Sequence, residues 1–199
     1  MAMLGRFDEA RRLSDEGMRL AVEIRGSIAP GLYEGRNRIE SLAGDHEAAD
    51  RFSQKGYEFL VSLDNVANSS TAAGERALAL LRQGRIEEAS HWAEVCRETT
   101  SSDDVINQHL GRTVLAVIAA REGRREEADR LIGEAVDWAD RSDSLMERAE
   151  ICADEAEIHH LAGRDDAARA ALDRARELYR RKGATVGEGI VDRWAAALG

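Results

Sequence analysis

Three features of this chain contain residue types that could do chemistry: pairs of carboxylates, two adjacent histidines and a glycine-rich segment. The carboxylate pairs are Glu87-Glu88, Glu126-Glu127 and Asp165-Asp166, and paired carboxylates are common in acid–base catalysis. Each pair, however, includes the third residue after a glycine that recurs along the chain. Acidic residues at this position complement the dipole at the start of a helix, so we predict no catalytic residue among them.

The histidines and the glycine-rich segment do not fit a metal or cofactor site. Side chains of His159 and His160 would point about 100° apart on a helix, so they cannot easily share one metal ion. The segment "GATVGEG" (residues 183–189) lacks the spacing of a dinucleotide fingerprint and the lysine of a phosphate loop, and no strand pattern precedes it. We predict neither a metal nor a cofactor.

A repeated sequence motif indicates that helical repeats position these residues. Nearly the same nine residues occur five times, and their first glycines lie 39, 40, 39 and 40 residues apart. Self-similarity at this period is typical of stacked helical repeats. The five segments are "GRFDEARRL" from Gly5, "GDHEAADRF" from Gly44, "GRIEEASHW" from Gly84, "GRREEADRL" from Gly123 and "GRDDAARAA" from Gly163.

Counting from each glycine, small residues alternate with large ones along one helical stripe. The fifth and twelfth residues are small and the eighth and fifteenth are mostly large, which is the spacing of one face of an α-helix. Small positions allow a neighbouring helix to approach closely. The small positions are Ala10, Ala49, Ala89, Ala128 and Ala168, followed by Gly17, Gly56, Cys96, Ala135 and Ala175.

The glycines themselves follow helical runs, which predicts left-handed turns that end one helix before the next begins. Segments with helix-start chemistry recur between the repeats, and Ser144 with Glu147 fits a capping box. We therefore predict an all-α solenoid of antiparallel helix pairs with ten helices, the last over 184–198. Residues 1–199 would form one array, with repeats starting near 5, 27, 66, 102 and 143. Because neither end resembles a polar capping repeat, we expect the chain to be a fragment of a longer protein.

With this pattern in place, the repeats resemble tetratricopeptide repeats. Ala77, Ala116 and Ala156 match the small position of that repeat's first helix, and the fifth and twelfth residues match the small positions of its second. The period is about five residues longer than the usual 34. The proline that ends the standard repeat and the usual tryptophan and tyrosine of its first helix are absent.

Repeats of about forty residues resemble the C-terminal helical regions of large bacterial regulators. The similarity is to class III nucleotide cyclases that carry an ATPase module, through "SSDDVINQ" (101–108) and "ARELYRRKGATVGEG" (175–189). Large ATP-dependent transcriptional activators carry similar arrays. The resemblance implies that this segment contains neither cyclase nor ATPase residues.

Charge and composition exclude several partners. The net charge of −10 disfavours nucleic acid and anionic membranes as partners, because both attract clustered lysine and arginine. No apolar run reaches transmembrane length and no signal peptide is visible. Cys96 and Cys152 lack metal-like spacing and are interpreted as reduced core thiols of a cytoplasmic protein.

The resemblance implies that the first helices line a groove that receives a protein or peptide segment, either of a separate protein or of other domains of the same protein. We therefore expect a non-catalytic interaction and regulatory module. A small-molecule sensor and an oligomerisation element that associates weakly through uncapped ends are the alternatives. Arginines at matching positions could hold an acidic or carbonyl-rich partner, or could simply complement helix C-termini. The predicted groove residues are Glu34, Arg38, Arg82, Arg121, Glu157 and His160.

Overall fold

The structure is a computed structural model that describes residues 1–25 and 29–198, and in these residues the only regular structure is helical. A short 3₁₀ helix (Ala2–Leu4) precedes ten α-helices, so the predicted all-α fold and helix count are confirmed for this part of the chain. The repeat start predicted near residue 27 lies outside the described residues. The helices are α1 (Phe7–Arg25), α2 (Pro30–Ala43), α3 (His46–Ser62), α4 (Val66–Arg82), α5 (Ile86–Thr99), α6 (Val105–Arg121), α7 (Arg125–Ala139), α8 (Leu145–Leu161), α9 (Asp165–Lys182) and α10 (Thr185–Ala197).

The helices belong to two compact units, an N-terminal unit (Met1–Thr100) and a C-terminal unit (Ser101–Gly199). Helices α1–α5 lie in the first and α6–α10 in the second. Within each unit every helix packs against the next one along the chain, and α6 also contacts α8. Throughout 1–25 and 29–198, every helix is too short or too polar to cross a membrane.

Glycine turns join the helices within each pair. Gly44, Gly84, Gly123 and Gly163 have φ angles of 80°, 76°, 79° and 75°, which confirms the predicted left-handed conformation. After each glycine, the next backbone N–H donates to the carbonyl five residues earlier; for Arg85 and Leu80 the distance is 3.0 Å. This is the hydrogen bond that closes a helix C-terminus in a Schellman motif.

Two other helix ends depend on aspartate residues. Asp64 takes the left-handed conformation between α3 and α4, with φ 54°. The Asp104 carboxylate caps α6 by accepting from the Asn107 backbone N–H at 3.0 Å.

The predicted capping box at Ser144 is wrong, because the Ser144 side chain makes no cap hydrogen bond. Its backbone N–H, which Glu147 would have to cap, donates instead to the Ser142 hydroxyl at 3.0 Å.

The small positions of the repeat form the centre of both units. Ala49, Ala89, Ala128 and Ala168 are at most 1% exposed, as expected where a neighbouring helix approaches closely. The stripe is less covered in α1, where Leu13 is 44% exposed although its counterparts Leu131 and Leu172 are buried. Helix α1 therefore presents apolar side chains, including Leu20 and Ile24, that the described part of its unit leaves exposed.

The contact between α9 and α10 depends on Gly187. A Cβ atom at this position would lie 2.4 Å from Cδ1 of the Tyr179 ring. Tyr179 is only 6% exposed, so the ring has little room to move away. Only glycine lets α10 rest directly on this ring.

We expect Ala128→Leu and Ala168→Leu each to lower the free energy of unfolding by about 1–3 kcal/mol, because added methylene groups overpack a filled contact. Both alanines are buried. Ala170→Leu is the control, since Ala170 is exposed on the same helix as Ala168. Urea unfolding followed by circular dichroism measures the change. Wild-type stability in both variants would contradict close packing at the small positions.

Candidate functional site

The six predicted groove residues are divided between the two compact units. The N-terminal unit contains Glu34 and Arg38 on α2 and Arg82 on α4. The C-terminal unit contains Arg121 on α6, with Glu157 and His160 on α8. All six lie on helices that come first in their predicted pairs.

In the C-terminal unit the structure brings Arg121 and Glu157 together. Arg121 Nη2 lies 2.7 Å from Glu157 Oε1, and the two side chains are 33% and 20% exposed. The guanidinium thus already holds a carboxylate of its own chain, with which an acidic partner would have to compete. His160 is more exposed, and its Nδ1 lies 2.8 Å from the Asp165 carboxylate at the start of α9. This histidine therefore links α8 to the start of α9.

In the N-terminal unit the predicted residues lie on two helices, α2 and α4. Arg82 is exposed in the last turn of α4, where its charge complements the helix dipole. Burial and, after it, the Arg82 charge lower the pKa of His46 at the start of α3. Glu34 is exposed near the beginning of α2, and Arg38, one turn later, is half-buried.

Glu34 also lines a recess between α2, α3 and α4, which we call the α2–α4 recess. It has a volume of about 200 Å³. Helices α2 and α4 form its walls, and α3 lies between them. Its lining residues are Pro30, Gly31, Tyr33, Glu34, Phe52, Ser53, Gly56, Leu60, Asn68, Thr71, Ala72 and Glu75.

Close helix packing fixes the inner wall of the recess. Gly56 on α3 lets Tyr33 of α2 approach, since a Cβ at Gly56 would lie 3.2 Å from Tyr33 Cβ. Beside it, the buried Asn37 amide donates to the Ser53 hydroxyl at 2.6 Å and to the Ala49 carbonyl at 3.1 Å. Hydrogen bonds between α2 and α3 therefore hold the inner wall in place. These bonds lie on the buried side of the recess.

A buried ion cluster joins α1 to α2 and was not predicted from the sequence. Glu40 is 2% exposed, and its carboxylate accepts from Arg11 Nη2 at 2.6 Å and from Arg36 Nε at 2.6 Å. Burial alone would raise the pKa of Glu40, but the two arginines outweigh it, so the pKa lies below its usual value. Arg36 also bonds Asp15 of α1. A buried carboxylate with two guanidinium partners is the arrangement that makes burial of charge tolerable.

A second missed feature is a stack of arginine on aromatic rings. The Arg36 guanidinium lies 5.0 Å from the centre of the Phe52 ring, and Arg76 lies 4.3 Å from that of Trp92. Both arginines come eight residues before a loop glycine and both rings come eight residues after it. This register was the available signal, and such cation–π contacts contribute about 0.5–2 kcal/mol.

Ion pairs also link successive glycine turns. Arg85, directly after one loop glycine, contacts Asp50 at 3.1 Å, six residues after the preceding glycine. The same two register positions bring Arg164 to Asp129 at 2.8 Å, and this hydrogen bond lowers the pKa of Asp129. In these two turns the arginine that follows the loop glycine therefore links neighbouring repeats.

Other reactive side chains lie apart from the recess. Both ring nitrogens of the buried His109 lack a hydrogen bond, and Nε2 is 3.6 Å from a Glu147 oxygen. Neither Cys96 nor Cys152 forms a disulfide bond, and burial raises the pKa of Cys152 despite the adjacent Arg174. Among the described residues, no group of three or more His, Cys, Asp or Glu side chains is placed to hold a metal ion.

The ion cluster at Glu40 predicts a pH dependence. Its pKa is lowered on folding, so its contribution to stability is present at neutral pH and is lost as pH falls through the folded pKa, below about 4.3. We expect Glu40→Gln to lower the free energy of unfolding by about 1–3 kcal/mol at neutral pH. The difference from wild type should shrink at low pH. Urea unfolding at several pH values measures it, with Glu47→Gln, an exposed carboxylate of α3, as control. A difference in free energy of unfolding that does not change with pH would contradict the ionic role of Glu40.

Comparisons with known proteins give similarity of fold alone. Neither family models nor curated proteins match this chain. A solved structure that does match is BtubC (BKLC) from P. vanneervenii, with 17% sequence identity and a TM-score of 0.61. The match covers 90% of this chain and 75% of BtubC. At this identity the likeness extends to the arrangement of helices and not to function.

Proposed function

We propose that this chain is a non-catalytic protein-interaction module, built as a tetratricopeptide-like solenoid within a larger bacterial regulatory protein of the cytoplasm. The α2–α4 recess is the observation that carries the proposal. It opens between two helices that come first in their predicted pairs, and tetratricopeptide resemblance implies partner binding on such helices. The partner is a segment of protein, either of a separate chain or of another domain of the same polypeptide.

The chemistry of the recess supports holding a partner more than transforming a substrate. Its described lining residues include two carboxylates, an amide and hydroxyl groups, and among them there is no histidine, cysteine, lysine or arginine. Ser53 is 1% exposed, and its hydroxyl already accepts a hydrogen bond from Asn37. A nucleophilic serine needs a neighbouring base, and Asn37 is not one.

The exposed apolar face of α1 favours a second candidate, an oligomerisation element. Leu13, Leu20 and Ile24 are spaced to lie on one side of the helix and are 44%, 40% and 78% exposed. Exposed apolar stripes tend to be covered by a partner. Sedimentation of the full chain with Leu13→Ser and Leu20→Ser, compared with wild type, separates this candidate from the first.

We expect a photo-reactive amino acid at Asn68 to capture a protein partner in cells, because Asn68 is exposed and lines the recess. The control position is Glu58, which is exposed on α3 outside the lining. The captured protein would be identified, produced in pure form and titrated against the full chain by calorimetry. Equal capture at both positions, or no binding by the pure partner, would contradict the proposed function.

We also expect the purified chain neither to hydrolyse ATP nor to form cyclic nucleotides. Phosphate release and cyclic-nucleotide formation would be measured with Mg²⁺ and compared with buffer alone. Turnover that is abolished by a point substitution in this chain would overturn the non-catalytic assignment.

A further inference from the structure

We propose that His159 makes the link between α7 and the start of α9 sensitive to acid. The link is the contact of Arg164, the residue before α9, with Asp129 of α7. The His159 ring holds the Arg164 guanidinium in the position from which it reaches Asp129, and it can do so only while one ring nitrogen carries no proton. This inference goes beyond the proposed function, because it concerns the contact between successive repeats and needs no partner.

The hydrogen bonds of Arg164 determine which nitrogen of the His159 ring carries a proton. Arg164 Nε donates to His159 Nδ1 at 3.2 Å, and the two terminal nitrogens of the guanidinium donate to the two carboxylate oxygens of Asp129. A guanidinium donates hydrogen bonds and accepts none. His159 Nδ1 is therefore the acceptor, so the ring is neutral and its proton is on Nε2.

Acid removes this acceptor. Histidine is the side chain that ordinarily takes up a second proton between about pH 8 and pH 5, and the His159 side chain is 21% exposed, so water reaches it. A proton on Nδ1 abolishes the bond from Arg164 Nε and places a positive ring beside the positive guanidinium. The charged ring is also attracted to Asp129, since its charge is the smallest of the influences that lower the pKa of Asp129 and the Arg164 hydrogen bond is the largest. Ring and guanidinium then compete for one carboxylate, and the link loosens.

The carboxylate on the other side of the ring does not replace the lost bond. His159 Nε2 lies 3.5 Å from Glu155 Oε1, on the same helix. Glu155 is also bonded to Arg174 of α9. Because Nε2 carries a proton in both the neutral and the charged ring, Glu155 attracts the charged ring without restoring a contact between Nδ1 and Arg164.

The other charged groups that reach this end of α8 belong to separate pairs. From α6, Arg121 contacts Glu157, which lies two residues before His159 and so about 200° around the helix. From the start of α9, the Asp165 carboxylate contacts the ring of His160. The groups that face the His159 ring are therefore Glu155 of α8, Asp129 of α7, Arg164 and Arg174.

The test follows the Arg164 Nε–H proton by ¹⁵N NMR in the full 199-residue chain. His159→Asn is the matched control, because the asparagine oxygen can accept where Nδ1 does and the amide takes up no proton. His159→Phe removes the acceptor at every pH. The rate at which this proton exchanges with water is measured at about pH 7.5 and about pH 5, on either side of the range in which histidine ordinarily changes charge. Chains are compared at the same pH, so the direct effect of pH on exchange cancels, as does the titration of His160.

At the higher pH we expect wild type and His159→Asn to exchange equally slowly and His159→Phe to exchange about fivefold faster, the factor that corresponds to one hydrogen bond. At the lower pH we expect wild type to exchange about fivefold faster than His159→Asn. In the wild-type chain alone, the Arg164 Nε resonance should shift with the same midpoint as the ring nitrogens of His159.

A ratio of wild-type to His159→Asn exchange rates that is the same at both pH values would overturn the proposal. An Arg164 Nε resonance that does not move while the His159 ring titrates would also overturn it, and this measurement needs no variant. A proton on Nδ1 at the higher pH, reported by the ¹⁵N shifts of the ring, would contradict the acceptor role. Unchanged helical circular dichroism shows that each variant is folded.

Discussion

Each helix pair depends on a turn whose glycine adopts a left-handed backbone conformation. The following residue can then donate its N–H to the carbonyl five residues back, and the chain reverses within a few residues. A side chain at such a position costs about 1–2 kcal/mol. Because the reversal is so tight, the next helix must lie against the one just ended, and small residues decide how closely the two approach.

Ion pairs then connect neighbouring repeats. Arg85 reaches Asp50, and Arg164 reaches Asp129, across successive glycine turns. Glu40 adds a buried carboxylate between two guanidinium groups at the junction of α1 and α2. Arg121, which the sequence pattern assigns to the partner groove, is likewise paired with Glu157 of its own chain.

Helix number, helix ends and core alanines could be predicted from sequence because each depends on local geometry repeated at a fixed spacing. The left-handed Gly84 and the buried Ala89 are examples. The Arg121–Glu157 pair and the α2–α4 recess could not, because both depend on which side chains of different helices meet. Ser144 shows that even a local pattern can fail. Its backbone N–H donates to the Ser142 hydroxyl, although the capping pattern requires this N–H for Glu147.

The arginine–aromatic contacts affect how the folding of this protein can be followed by tryptophan fluorescence. The chain has three tryptophans, of which Trp92 lies in the N-terminal unit, while Trp138 and Trp194 lie in the other. Trp92 is stacked against Arg76 and meets the Tyr57 ring edge-on at 4.8 Å. Trp138 has Arg141 at 4.2 Å. Tryptophan emission therefore comes from both units, and replacing Trp92 by phenylalanine leaves tryptophan emission from the C-terminal unit alone.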